Sequence, residues 1–143
     1  RTDEAARIYE RILSVEPDHA EALWNLGGIL LKSGRAEAGA PLILRAAEIR
    51  KSFPDGWELL AKLALEHGTY ADRAEEFARN ALKGRPSAEN HTRFALALYT
   101  AGKHQESRQV LLDGLKRYPG DQELRQALHA MEAAGAAGDP GKK

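Results

Sequence analysis

Leu23-Trp24-Asn25-Leu26-Gly27-Gly28-Ile29-Leu30, residues 23–30, closed by Gly34, is the stretch that decides the fold. Leu23, Leu26, Gly27 and Leu30 are spaced three, one and three apart. That spacing puts them on one face of a helix, with the smallest residue at the closest approach. The pattern recurs down the chain. Trp57, Leu60, Ala61 and Ala64 precede Gly68, and His91, Phe94, Ala95 and Leu98 precede Gly102. Leu124, Ala127, Leu128 and Met131 precede Gly135. The four glycines stand 34, 34 and 33 residues apart. A self-similar period of this size marks a row of small helical units, each burying its apolar face against the next.

The stretch after each glycine repeats too. Ala38 to Ile49, Ala74 to Leu82 and Ser107 to Leu115 read as second amphipathic helices. Gly39, Ala46 and Ala47 in the first correspond to Ala74, Ala81 and Leu82, then to Ser107, Gly114 and Leu115. Pro17, Pro86 and Pro119 each follow such a helix, since proline cannot continue one. Leu23, Leu26, Gly27, Leu30, Gly34 and Ala46, with Trp57, Leu60, Ala61, Gly68, Tyr70, Ala74, Ala81 and Pro86, resemble the tetratricopeptide repeat, a helix-turn-helix unit of 34 residues. The resemblance covers roughly residues 3 to 133. It implies an all-α fold: a right-handed superhelical stack of antiparallel helix pairs, an α-solenoid. About three full repeats would follow a leading half-repeat and end on a C-terminal capping helix.

Taken in order, residues 3–17 are a second helix lacking its first, so the chain opens in mid-repeat and a longer parent is expected. Repeats follow at 20–53, 54–87 and 88–120. Asp18 or His19 should open one first helix, and Ser87 or Ala88 another. Pro41 falls early in its helix, where the first backbone N–H groups have no intrahelical partner and a proline costs little. Pro54 falls at a favoured helix start. One extra residue between Gly68 and Ala74 lengthens that turn. Residues 121–133, polar at Gln122, Glu123, Arg125, Gln126 and Glu132, suit the capping helix that keeps such a stack soluble. Residues 134–143, small and glycine-rich, read as a flexible tail and as the natural end of the chain. The domain is thus 1–133.

Composition excludes several functions. Twenty-one basic and 21 acidic residues cancel, which gives no electrostatic footprint for nucleic acid or an anionic bilayer. No apolar run approaches the roughly 20 residues of a membrane span, so no membrane insertion is expected. Cysteine is absent, which removes thiolate chemistry and cysteine zinc sites. The compartment is left open, a cytoplasmic location being slightly favoured and a periplasmic one compatible. Richness in alanine, arginine and glycine fits a bacterial source. His19, His67, His91, His104 and His129 show no metal-ligand spacing, and Gly27-Gly28 lacks the strand and Gly-Lys-Ser/Thr of a phosphate loop. Ser14, Ser33, Ser52, Ser87 and Ser107 lie in no nucleophile elbow. No enzyme, cofactor or metal site is expected.

Partner binding is the expectation. The resemblance implies that first helices line a concave groove that receives peptides. The groove phase selects Trp24, Asn25 and Leu31, then Glu58, Leu59, Lys62 and Leu65. It goes on to Thr92, Arg93, Leu96 and Tyr99, then Arg125 and His129 in the cap. Trp24 is the expected anchor, since Leu23 already fills the core place of its repeat and tryptophan is a common interface hot spot; the alternative is that its ring covers a neighbouring helix. Trp57 falls in the core phase. Asn25 and Arg93 stand where relatives that grip backbones or C-terminal carboxylates carry Asn and Arg. Asp55 and Leu59 occupy intervening clamp places, which argues against an acidic chaperone C-terminus as ligand. The asparagine ladder of the nucleocytoplasmic glycosyltransferase is missing as well. The leading expectation is therefore a non-catalytic scaffold for a peptide or helix segment of another protein. A self-assembly module, homo-oligomeric through the helix around Ile8 and Tyr9 or through the groove, is the alternative. A third reading is the C-terminal accessory region of a larger enzyme.

Overall fold

The computed structural model describes residues 1–138. Among them every regular element is helical, and Cα packing divides the chain into two compact units, Arg1–Gly84 and a second beginning at Arg85.

The first unit runs α1 (Thr2–Val15), α2 (Ala20–Lys32), α3 (Ala36–Ile49), α4 (Pro54–His67), a single 3-10 turn at Ala71–Arg73, and α5 (Ala74–Gly84). Helices α2 with α3 and α4 with α5 form its hairpins. The α2–α3 crossing works because both sides are glycine. A Cβ on Gly27 would stand 2.7 Å from Ile43 Cδ1 and 3.1 Å from the Gly39 carbonyl oxygen. One on Gly39 would stand 2.8 Å from the Gly27 oxygen. Ile43 is fully buried behind this contact, and Leu23, Leu26, Ala40 and Ala47 of the same hairpin are buried as well. Trp57 is buried in the second hairpin, stacked on Phe77 with centroids 6.1 Å apart, and its indole N–H donates to the Lys51 oxygen at 3.0 Å. Pro41 stands inside α3 without ending it.

The turn glycines fall where the period predicts. Gly34, Gly68 and Gly102 all have positive φ, 76–81°, a conformation open to glycine at little cost. The extra residue after Gly68 is absorbed by the 3-10 turn, entered through Tyr70 at φ 55°. The Tyr70 ring sits edge-on to Phe77 at 6.2 Å, which helps hold that uncommon backbone. Helix α1 contains no buried residue, and Ile8 and Val15 on it are 56 % and 78 % exposed.

The second unit holds α6 (Ala88–Thr100), α7 (His104–Arg117) and α8 (Gln122–Gly138). Ser87 caps α6, its hydroxyl accepting from the Asn90 amide at 3.1 Å; Asp121 caps α8 by accepting from the Leu124 amide at 3.0 Å. Ala95, Leu111 and Leu124 form the buried centre, with Ala127, Leu128 and Met131 packed on it. The buried Ser107 hydroxyl donates to the Ala95 oxygen at 2.5 Å, which ties α7 to α6 where the first hairpin uses paired glycines.

One expectation about the fold is corrected. Gly135 is not a turn residue: α8 carries helix through it to Gly138, past the end at 133. Gly114, a small residue by register, proves to be a close-approach site. A Cβ there would meet His91 Cβ at 3.1 Å and Leu124 Cδ1 at 3.2 Å. The rest of the expected tail, 139–143, lies outside the described residues.

Candidate functional site

In the first unit the groove phase falls on α2 and α4. Asn25, Leu31, Glu58, Leu59 and Leu65 are half-buried and Lys62 is exposed. Trp24 does not project freely. Its ring is half-buried and packs edge-to-face on Phe53, with centroids 5.4 Å apart and planes at 83°. A Cβ on Gly56 would lie 3.9 Å from Trp24 Cζ3. The indole is therefore a wedge between α2 and the start of α4. The seat comes from the next repeat, which is why the phase of α2 alone did not show it.

A polar depression of about 640 Å³ opens elsewhere in this unit, between Lys51, Ser52, Arg73, Asn80 and Lys83. Glu48 and Glu76 line it as well. Arg73 donates to both Glu76 oxygens, at 2.6 and 3.1 Å, and its guanidinium lies 5.1 Å from the Phe77 centroid. The Glu76 hydrogen bond raises the Arg73 pKa, partial desolvation opposes it, and Glu48 and Asp72 add to the rise. With cations and carboxylates interleaved, the depression favours neither sign of ligand.

In the second unit the predicted residues lie on α6. Arg93 is held on two sides: Nη1 donates to Asn90 Oδ1 at 2.9 Å, and Nη2 to Glu89 Oε1 at 2.7 Å. Asn90 is completely buried, and its Nδ2 donates to the Arg85 oxygen at 2.9 Å. This network pins the connection before α6. Sequence reading missed Asn90, whose only local sign was its place three residues after the capping Ser87. Thr92 donates to the Ala88 oxygen at 3.1 Å, and Tyr99 stacks on His104 with centroids 4.4 Å apart. Leu96 is 48 % exposed, a large side chain left in solvent.

Thr92, Leu96 and Tyr99 form one wall of an apolar trough of about 400 Å³. Ala127, Ala130, Met131 and Ala134 of α8 form the other wall, and Ala95 and Leu111 the floor. The trough exists because α8 turns alanine towards α6 at steps of three and four residues, leaving the space that longer side chains would fill. Sequence reading put Ala127 and Met131 on the apolar face of α8 but did not single out Ala130 and Ala134, and it took the rest of the helix as a polar cap. It chose Arg125 and His129 instead. Both are exposed and neither lines the trough; Arg125 donates to the Pro119 oxygen at 2.5 Å.

The histidines have other work. The His19 ring accepts from the Ala22 amide at 3.1 Å, and the His91 ring sits 2.7 Å from the Ser87 oxygen and edge-on to Tyr118. Among the described residues no group of three His, Cys, Asp or Glu could hold a metal ion, and no helix is long and apolar enough to cross a membrane.

Two family models, both described as tetratricopeptide repeat, match residues 1–63 and 59–122. No curated protein matches the chain. Among solved structures, a crystal structure of MamA protein superposes with a TM-score of 0.74 at 17% identity, covering 94% of this chain and 74% of that one. Another, MamA MSR-1 C2, gives 0.73 at 20% identity over 95% of this chain and 79% of its own. TTC0263, a thermophilic tetratricopeptide-repeat protein of Thermus thermophilus, gives 0.58 at 22% identity over 94% and 74%. At these identities the likeness shows the fold alone.

Proposed function

The chain belongs to the tetratricopeptide-repeat family, and on that premise we propose that it is a non-catalytic scaffold holding a segment of a protein partner on its first-helix faces. The observation that carries this reading is the trough between α6 and α8. It is open, almost free of polar atoms, and edged by Leu96, an exposed leucine that a partner would cover. Its volume of about 400 Å³ falls within the roughly 300–1,000 Å³ typical of ligand sites. Helix-in-groove recognition suits such a surface. His19 and Ser87 cap helices, the His91 ring is held at the Ser87 oxygen, and the Ser107 hydroxyl ties α7 to α6.

The test is a display selection of 15-residue peptides on the intact chain, followed by titration of the best binder. Leu96→Glu should weaken it at least tenfold, whereas Lys116→Glu on α7 should leave it unchanged. Equal affinity for both variants would place the site elsewhere. A second reading, homo-oligomerisation, draws on the exposure of Ile8 and Val15 on α1. It predicts a mass that rises with concentration and falls back to one chain in Ile8→Glu/Val15→Glu; a single-chain mass for the wild type throughout would remove it.

A further inference from the structure

Resting on the reading just given, we infer that the trough takes an α-helix of the partner whose apolar stripe is flanked at one end by lysine or arginine. Three features lead there.

The first is the wall. Its lining offers an extended segment almost nothing with which to pair backbone N–H and C=O groups. A helix satisfies those groups internally and can lie against apolar walls without orphaning them.

The second is length. The α6 wall runs from Thr92 to Tyr99 and the α8 wall from Ala127 to Ala134, eight residues and so seven helical steps each. At 1.5 Å per residue this is about 10 Å, two turns, the span of an i, i+4, i+7 stripe.

The third is charge at one mouth. His91 near the start of α6 and Leu124 near the start of α8 both border the same point, the missing Cβ of Gly114. The two N-termini therefore lie together. Glu89, three residues before Thr92, and Glu123, four before Ala127, continue the two walls at that end on the same helix faces. Glu123 is exposed, and the Glu89 side chain is 69% exposed although Arg93 holds one of its oxygens. The opposite mouth carries Tyr99 and Ala134, which are uncharged. A cation flanking the docked stripe meets the Glu123 and Glu89 carboxylates there, the second already shared with Arg93.

Two synthetic 16-residue helices test this. Both carry leucine at i, i+4 and i+7, and one has two lysines, the other two glutamates, at the same flank. Each is titrated into the intact protein while α6 and α8 amide resonances are followed, at low and high salt. The lysine helix should bind about fivefold tighter at low salt, the difference shrinking at high salt. Glu123→Lys should erase or invert the preference. Ala130→Glu, a change at an exposed helix position, should abolish binding of both peptides with the circular dichroism unchanged. Equal affinities, or a lysine preference surviving in Glu123→Lys, would overturn the inference while leaving the scaffold reading in place. If neither helix shifts α6 or α8, the trough itself is not the site and both readings fall together.

Discussion

At Gly27 and Gly28, neighbours in one helix, the same substitution should have opposite signs. Gly27→Ala places a methyl 2.7 Å from the buried Ile43 Cδ1 and 3.1 Å from a backbone oxygen. Overpacking of about 1–3 kcal/mol outweighs the roughly 1 kcal/mol gained in helix propensity, so the variant should lose stability. Gly28→Ala meets nothing within 4 Å and should gain up to about 1 kcal/mol. Urea unfolding of the two variants checks the pair, and equal shifts would place the close contact elsewhere. The register had already singled out Gly27 as the packing glycine, because a 34-residue period aligns it with Ala61 and Ala95. Trp24 shows where such reading stops. Its seat is made by Phe53 and Gly56, across a turn, and no single-helix phase contains that contact. Trp24→Ala should therefore cost about 2 kcal/mol of stability, since part of a large ring is buried. Unchanged stability would return the indole to the role of a free anchor.

At the scale of the helix, α1 and α8 differ from the hairpins between them. Helix α1 buries no residue, so its amides should exchange fastest among the described helices, through local opening that leaves the rest folded. Exchange as slow as that of α4 would mean its exposed face is covered in solution. Helix α8 is half core and half trough wall. Leu124 is fully buried, and Leu124→Ala should cost about 2–4 kcal/mol. The alanines at 127, 130 and 134 leave a trough whose walls come from different repeats. The helices and their order were legible from period and turn glycines, because those are local. The trough was not, because its depth depends on how far α8 stands from α6, which no run of residues encodes.

At the scale of the molecule, repeats that pack only on neighbours unfold without being bound to one transition. Both tryptophans lie before Arg85, so tryptophan fluorescence reports the first unit while circular dichroism reports every helix. Leu124→Ala should then shift the circular dichroism transition more than the fluorescence transition; equal shifts would show that the two units melt as one. Balanced charge, 21 against 21, fits a protein whose specificity comes from a local surface rather than a long-range field. The surface proposed to hold the partner is the first-helix face of the second unit. The most direct measurement is an amide chemical-shift map of the intact chain with a blind-selected peptide bound. The largest changes should fall on Leu96, Tyr99, Ala130 and Met131. A map centred on the outer face of α7, or on α3 and α5, would contradict it.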